Sequence, residues 1–562
     1  MPSRRQFVAS SAVGAAALFA RPAVFLPTRP RHDLVLRGGR VVDGSGRPAF
    51  DADVAIRAGR VAAVGRALRD TGRLELDARG LLVAPGFVDI HSHGDGTMWA
   101  DPRTESLIRQ GITTIIVGQD GSSRAPAAAD GADDDRQFAS FGDLWSALRD
   151  LRPAVNVASM VGLGSVREAV VGEAYRVATP AELRRMARVV DDALGDGACG
   201  ASSGLEYTPG AFAPRAELVA LCRPLARRKL PYATHLRNED DWLLEAVDEA
   251  ISVARDAGCP LQISHLKTQG PRNWGKLNDV FARVAAARQA GVDTMFDRYP
   301  YVAYQTGLTN LFPVWSRDGG ARELLTRVAK ADSADRIRTE TLAKVELIGG
   351  WDNVMISGVA APDDKAVEGK RLGAYAASLG RDPYDIAVDL LRRSNGDVGM
   401  VGFAMSEQNL ERILAHPQSM VCSDGGAYAV NGPARQGHPH PRGLGTFPRV
   451  LARYVRERHV LGLEQAVRKM TSLPASRVGL PDRGWIGVGL PADVVVFDPA
   501  TIEDRATFAD PFQYPAGIKA VVVNGSLALL DDARLDSREG QRAGRPLPVA
   551  GASRSLWSRL VR

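Results

Sequence analysis

Cysteine is scarce in this chain, which has four cysteines among 562 residues. They occur in apolar or strand-like segments, at Cys199, Cys222, Cys259 and Cys422. Their separations match neither the paired spacing of a cysteine metal site nor a disulfide framework. We therefore interpret them as buried free thiols.

The sequence also lacks dense lysine and arginine clusters interleaved with aromatic residues. Its net charge of +6 and its isoelectric point near 9.2 are mild for this length, so we expect no nucleic-acid partner. The apolar run at residues 8–20 is too short and too weakly apolar for a membrane-spanning helix, and no stable membrane insertion is expected. With 45% hydrophobic and 24% charged residues, the chain can bury one large domain and an accessory domain.

The first residues carry a targeting pattern. Arg4 and Arg5 precede the run at 8–20, which is rich in Ala, Gly and Ser. This arrangement is typical of a twin-arginine export signal. We expect cleavage near Ala20, exclude residues 1–30 from the fold, and predict a periplasmic or secreted protein.

His91 and His93 follow directly after an apolar segment, residues 81–90. Side chains alternate across a strand, so two histidines separated by one residue point the same way and can bind one metal ion. Two surface histidines in a loop are the alternative interpretation. The positions of the remaining histidines and aspartates favour the metal site.

Five later β-rich apolar segments also end in polar residues. Residues 112–119 lead to Asp120, 230–234 to His235, 260–264 to His265, 292–297 to the segment 298–301, and 419–423 to Asp424. Segments 155–162 and 198–205 complete eight predicted strands, and the stretches between strands show helical spacing. An α/β fold of the (β/α)8 TIM-barrel type is predicted, with its active site at the carboxyl ends of the strands.

Many ordered segments of the chain resemble the amidohydrolase superfamily and, within it, the D-aminoacylase (N-acyl-D-amino-acid deacylase) family. The matching segments are PGFVDIHSHGD, GITTIIVGQDGSS, GASSGLEYTPG, YATHLRNE, QISHLKTQG with NWGK, DRYPY, SDGG, HPHPRGLGTFPRVLARYV, AVRKMTSLPASRVGL and ADVVVFDP. They extend from about residue 33 to residue 527. Each motif is weak alone, but their number and order make a chance match very improbable.

The resemblance implies a role for each matching residue. His91, His93, His235 and His265 correspond to zinc ligands, and Asp424 corresponds to the general acid/base. Zn²⁺ held with an open coordination position lowers the pKa of bound water and polarises an amide carbonyl. We expect one tightly bound zinc at His235, His265 and Asp120, and a weaker second position at His91 and His93.

The chain departs from the family pattern at the proposed metal site. Family members carry a cysteine ligand after the second barrel strand, whereas this chain has Asp120 between Gln119 and Gly121. A carboxylate can bridge two cations and is a harder donor than a thiolate. Asp120 is therefore the candidate replacement. It would also fill the place of the bridging carbamylated lysine of other amidohydrolases, because no lysine ends the fourth strand. Leu163 stands where family members often carry a histidine.

The implied substrate is a small molecule, an N-acyl-D-amino acid or a D-configured dipeptide, whose free carboxylate requires cationic partners. Lys267 lies two residues after His265 and shares its orientation. Arg442 follows the last strand and can bind a carboxylate through two hydrogen bonds. Tyr301 can add a hydroxyl donor. A surface charge or a packed tyrosine is the alternative for each of the three.

The resemblance also implies a small β-sandwich beside the barrel. Residues 33–65 and 492–527 show the alternating pattern of short antiparallel strands. We therefore divide the chain into 31–84 and 481–530 for the two parts of the sandwich, 85–480 for the barrel, and 531–562 for a C-terminal tail. The segment 307–350 is too long for an ordinary loop, and its helical periodicity predicts a lid-like insertion over the site.

Two alternative functions remain open at the level of sequence. One is a cyclic amide hydrolase of the dihydroorotase or hydantoinase type, which shares the ligand pattern. The other is a catalytically silent barrel with a structural role. The second is disfavoured because silent relatives lose ligands, whereas this chain retains a full set.

Overall fold

The computed structural model describes residues 30–127, 137–535 and 542–549. The predicted twin-arginine motif and most of the predicted C-terminal tail lie outside these ranges. Within them, no helix combines the length and the hydropathy needed to cross a bilayer.

Strands and helices alternate through most of the chain. The strands are β1 (His32–Val41), β2 (Phe50–Arg57), β3 (Arg60–Gly65), β4 (Gly72–Asp77), β5 (Leu82–Pro85), β6 (Phe87–Asp89), β7 (Ile112–Val117), β8 (Asn156–Ser159), β9 (Val161–Gly162), β10 (Ala201–Gly204), β11 (Tyr232–His235), β12 (Leu261–Ile263), β13 (Thr294–Arg298), β14 (Ala303–Gly307), β15 (Val354–Val359), β16 (Val398–Phe403), β17 (Ser419–Val421), β18 (Val494–Phe497), β19 (Ile518–Val523), β20 (Ser526–Leu530) and β21 (Ala533–Arg534). The α-helices are α1 (Glu105–Arg109), α2 (Phe141–Leu151), α3 (Leu163–Val171), α4 (Pro180–Gly195), α5 (Arg215–Arg228), α6 (Leu243–Ala257), α7 (Leu277–Gln289), α8 (Gly320–Val328), α9 (Ala331–Leu347), α10 (Leu372–Ser378), α11 (Pro383–Arg393), α12 (Glu407–Ala415), α13 (Arg442–Arg449), α14 (Leu463–Lys469) and α15 (Ser472–Arg477). Short 3-10 helices occur at Gly210–Phe212, Pro271–Lys276, Leu308–Leu311, Val314–Arg317, Trp351–Asn353 and Pro362–Val367, and Val450–Glu457 is a π-helix.

Eight parallel strand positions form the predicted barrel. Strands β6, β7 and β8 pair in parallel, and β9 continues β8 after Met160 and pairs with β10. Pairing then runs in parallel through β11, β12, β13 and β17. Backbone hydrogen bonds join the last strand to the first beyond their ends, from Asp424 N to His91 O (2.8 Å) and from His93 N to Gly425 O (2.9 Å). The predicted (β/α)8 fold is confirmed, and its closure lies at the predicted site.

The crossover helices bury one apolar face against the barrel. Helix α4 illustrates why they form where they do. Thr179 caps its first turn in a reciprocal capping box with Glu182, and Pro180 occupies the first helical position, where its missing N–H costs nothing. Met186, Val190 and Leu194, at helical spacing, are buried.

Both ends of the described chain contribute to one mixed nine-stranded sheet. Strands β1 to β5 and β18 to β21 are joined where β5 pairs antiparallel with β18. A separate core contains side chains from both ends, including Leu34, Val54, Val494 and Val522. The two ends of the described chain therefore combine in one continuous sheet that has its own core.

The insertion between the last two barrel strands is longer than the predicted segment 307–350. It includes helices α8 and α9 within that range, but it also contains the antiparallel sheet β14–β16–β15 and helices α10 and α11. Strands β15 and β16 pair with each other and with β14. These pairings are long-range in sequence, so local periodicity does not reveal them. The insertion places Gln305, Thr306 and Lys344 at the mouth of the barrel.

Candidate metal centre and active site

A cavity of about 620 Å³ lies at the carboxyl ends of the barrel strands. The ends of several barrel strands contribute His93, Asp120, His235, His265 and Asp424 to its lining. The insertion contributes the opposite wall. Eight of the nine predicted site residues meet at this place, since His91 is buried directly beneath the lining and contacts Asp120.

The carboxylate of Asp120 lies at the centre of the histidine cluster. Its Oδ2 atom is 3.3 Å from His91 Nε2, 3.5 Å from His93 Nε2 and 3.4 Å from His265 Nε2. His235 Nδ1 lies 2.9 Å from His265 Nε2. The aspartate that replaces the family cysteine therefore contacts histidines from two different sides of the barrel.

These side chains form two donor groups that share Asp120. One group consists of His91, His93, Asp120 and Asp424, and the other of Asp120, His235 and His265; within each group the ligand atoms lie within 4.8 Å of one another. A carboxylate common to two groups is suited to bridging two cations. This arrangement agrees with the expected pair of metal positions.

The donor set fits zinc. Imidazole nitrogens and a carboxylate are the ligands of catalytic zinc sites. The Nε2 atom of His91 and the Oδ1 atom of Asp120 are buried and form no hydrogen bond with the residues described. Buried polar atoms without partners are costly, and a bound cation would satisfy them.

The electrostatics of the ligand set also indicate a cation site. Burial raises the pKa of Asp120, but His91 and His265 outweigh it and hold that pKa well below its usual range. Burial lowers the pKa of His93, yet hydrogen bonds to Asp120 and Asp424 raise it overall to about 9. Metal binding requires neutral imidazoles, so loading the site releases protons.

Three of the functional residues have strained backbones. Asp120, His265 and Asp424 adopt positive φ angles of 51°, 35° and 51°. Such left-handed conformations cost about 1 to 3 kcal/mol each in residues other than glycine and are concentrated at functional sites. Each follows or ends a barrel strand, where the sharp turn directs the side chain into the cavity.

Two glutamates that were not predicted support the histidines. Glu239 Oε1 lies 3.2 Å from His265 Nδ1, and Glu206 Oε2 lies 3.3 Å from His235 Nε2. Carboxylates behind ligating histidines fix the ring orientation and raise ligand basicity. Glu239 is the last residue of the segment YATHLRNE, four positions after His235, and Glu206 lies in GLEYTPG. The only sequence signal for these two glutamates was their position inside segments that match the family.

Lys267 and Arg442 line the cavity as predicted, but each already has an acidic partner. Lys267 Nζ donates to both oxygens of Glu239, at 2.6 and 2.8 Å. Arg442 Nη1 donates to Asp424 Oδ2 at 2.6 Å, and its guanidinium lies 4.8 Å from the centre of the Tyr299 ring. The Nε atom of Arg442 has no partner among the described residues. Arg442 nevertheless lines the cavity, where its guanidinium can contact a substrate.

The structure corrects the expectation for Tyr301, which does not line the cavity. Its ring packs edge-on against His440 and Phe508. Arg449 lies over the same ring, 4.7 Å from its centre. The segment after β13 turns, so that Tyr299 and Tyr304 line the cavity instead. Strand parity does not extend through a turn, which explains the error.

Comparison with known proteins agrees with this geometry. The family model described as "Amidohydrolase family" matches residues 74–331 and 432–528. The chain belongs to the amidohydrolase family. N-acyl-D-glutamate deacylase of Alcaligenes xylosoxydans xylosoxydans is 40% identical over 528 residues, which cover 92% of this chain and 98% of that protein.

Two solved structures are similar over the same extent. The N-acyl-D-glutamate deacylase of Bordetella bronchiseptica, complexed with zinc and a phosphonate mimic of the tetrahedral intermediate, has a TM-score of 0.79 at 35% identity and covers 92% of this chain and 99% of its own. A D-aminoacylase described as having a binuclear metal centre, with activation by one metal and attenuation by a second, has a TM-score of 0.77 at 36% identity and the same coverage. The predicted membership of the D-aminoacylase group of amidohydrolases is confirmed.

Asp120 offers a test of the metal centre. Protein purified without added metal should contain at least about half an equivalent of zinc, and Asp120→Ala should lose most of it because both donor groups lose their shared oxygen. Asp120→Cys should retain zinc, since a thiolate is also a zinc ligand. Elemental analysis gives the readout.

Glu168→Gln provides the matched control, because Glu168 lines the same cavity but belongs to neither donor group. This variant should retain the zinc content of the parent protein. Metal-free protein with full activity, or an Asp120→Ala variant with unchanged zinc, would contradict the assignment.

Proposed function

We propose that this chain is a zinc-dependent deacylase that hydrolyses the amide bond of N-acyl-D-amino acids or D-configured dipeptides, releasing a carboxylate and a free D-amino acid. The observation that carries the proposal is the shared Asp120 carboxylate, surrounded by histidines, beside the buried Asp424–Arg442 pair. Relatives with deacylase names cover nearly the whole chain and support the same activity. The complete donor set argues against a silent barrel.

A zinc ion held by the histidines and Asp120 would polarise the scissile carbonyl and activate a water molecule. Asp424 is the base in this proposal, because its Oδ1 atom lies 3.2 Å from His93 Nε2 at the edge of the first donor group. It takes one proton from the attacking water. When the carbon–nitrogen bond breaks, Asp424 gives that proton to the leaving amine.

Arg442 connects acid/base chemistry to substrate binding. Burial raises the pKa of Asp424, but the adjacent Arg442 guanidinium and His91 outweigh burial and lower that pKa, which keeps the carboxylate ionised. Arg442 lines the cavity, and its guanidinium can donate to the α-carboxylate of the substrate. Lys267 Nζ lies 2.7 Å from His265 Nδ1 and, together with Glu239, holds that ligand in position.

We predict that Asp424→Asn lowers kcat at least about a hundredfold, because the amide keeps the shape but cannot accept the proton. Steady-state kinetics with an N-acetyl-D-amino acid and zinc analysis of the same preparation provide the measurements. The tight zinc should remain, because His235, His265 and Asp120 are unchanged. Loss of zinc would identify Asp424 as chiefly a ligand, and near-normal turnover would place the base elsewhere.

Arg442→Ala should lower kcat/KM for an N-acetyl-D-amino acid by about tens- to thousands-fold, because a partly desolvated carboxylate loses its partner. The corresponding amino-acid amide, which has no carboxylate, should be affected much less. Equal losses for the two substrates would identify Arg442 as structural. A wild-type preference for L substrates would contradict the D specificity but not the metal-dependent hydrolysis.

We further propose export by the twin-arginine route, on the basis of Arg4 and Arg5 and the run that follows them. Replacing both arginines with lysine should leave the precursor in the cytoplasm with residues 1–20 attached. Cell fractionation and intact-mass measurement distinguish the precursor from the processed form. Unchanged release of a shortened protein would rule out this signal.

A further inference from the structure

His440 is a buried histidine that lines the active-site cavity but belongs to no group of candidate metal ligands among the described residues. It stands between Pro439 and Pro441 in the segment HPHPRGLG, two residues before Arg442. A proline fixes its own φ angle and restricts the residue before it, so the backbone at His440 has little freedom. The fold therefore holds this imidazole in one place.

Both ring nitrogens of His440 contact backbone groups. Nδ1 accepts a hydrogen bond from the N–H of Arg442 (3.0 Å), and Nε2 lies 3.0 Å from the carbonyl oxygen of Ala303. An N–H can only donate and a carbonyl can only accept, so the ring is neutral and carries its proton on Nε2. Burial and the adjacent Arg442 guanidinium hold the pKa of His440 well below its usual range, in agreement with this form. Neither nitrogen is left to exchange a proton with a substrate.

The contact with Arg442 occurs at the start of a helix. Arg442 is the first residue of α13, and the first N–H groups of a helix have no partner inside the helix. His440 Nδ1 supplies the missing acceptor. From this point the Arg442 side chain reaches Asp424 Oδ2, to which its Nη1 atom donates at 2.6 Å. The imidazole thus fixes the backbone that carries the guanidinium.

The other contacts of His440 join the start of α13 to the insertion. Ala303, whose carbonyl accepts from Nε2, begins strand β14. Gln305 of the same strand accepts a hydrogen bond from the backbone N–H of His440 through its Oε1 atom (3.0 Å). The rings of Tyr301 and Phe508 pack edge-on against the imidazole, with 5.1 and 4.8 Å between ring centres. His440 therefore connects the helix that carries Arg442 with the sheet of the insertion.

We propose that His440 is a positioning residue that acts through Arg442: its Nδ1 atom holds the backbone from which the guanidinium reaches the substrate carboxylate, and its Nε2–H ties that backbone to the insertion. This inference rests on the proposed deacylase function and adds a residue to it. Loss of the acceptor should weaken binding of the α-carboxylate and leave the metal donors and Asp424 in place.

The test uses two variants of nearly equal size. His440→Leu removes both hydrogen bonds, whereas His440→Asn keeps an acceptor, because an asparagine oxygen accepts from the N–H two residues further on. The substrates are the N-acetyl-D-amino acid that the wild type hydrolyses best and its α-amide. In His440→Leu, kcat/KM for the acid should fall at least about tenfold, mainly through KM, and kcat/KM for the amide by less than about threefold. His440→Asn should recover most of the loss.

A double-mutant cycle tests the route through Arg442. Added to Arg442→Ala, His440→Leu should lower kcat/KM by less than about threefold, because the group that it positions is already absent. A purely structural ring would cause its full loss in both backgrounds. His438→Gln is the matched control, since His438 lies in the same loop and contacts the Phe508 carbonyl through Nε2 (2.7 Å) but does not line the cavity. This variant should keep the wild-type kcat/KM for both substrates.

Zinc content and thermal melting show whether each variant is folded. If His440→Leu does not fold, His440→Gln takes its place with the same expectations, since its amide lies one carbon further from the backbone. Equal losses for acid and amide, an asparagine variant no better than its partner, or a full loss in the Arg442→Ala background would overturn the proposal. Wild-type hydrolysis of the acid would then leave the deacylase function intact, whereas no hydrolysis of either substrate by the wild type would overturn that function as well.

Discussion

The Asp120 carboxylate is the interaction on which the active site depends. It lies within 3.5 Å of ring nitrogens of three histidines that come from two strand ends, since His91 and His93 follow β6 and His265 follows β12. Without a central anion or a metal ion, these buried imidazoles would repel one another once protonated. The positive φ of Asp120 places its side chain there, and Gly121, also at positive φ, follows it with no room for a side chain against Gly204. The contacts of the Asp120 carboxylate with the histidines compensate the backbone strain at this residue.

Charge pairing organises the surroundings of this centre. Glu239 neutralises Lys267, Asp424 pairs with Arg442, and Asp240 pairs with Lys344 from the insertion. At least one member of each pair lines the cavity.

The insertion between the last two barrel strands determines the shape of the site as much as the barrel does. The barrel supplies the candidate metal donors and the proposed acid/base residue, while Gln305, Asn310 and Lys344 form the facing wall. We therefore expect the insertion to determine which substrate side chain or acyl group binds, whereas the residues of the proposed reaction belong to the barrel. Relatives with the same metal ligands can differ in substrate through this wall alone.

The sequence by itself determined the barrel, its strand ends and the metal donors, because apolar strands followed by His91, His93, Asp120, His235, His265 and Asp424 are local patterns with a fixed physical meaning. The tertiary structure alone decided which partners these residues have. Lys267 and Arg442 are paired with acids from other strands and loops, Tyr301 is turned away from the cavity, and β15 and β16 form a sheet with β14. Each depends on contacts between segments far apart in the chain, which no local periodicity encodes.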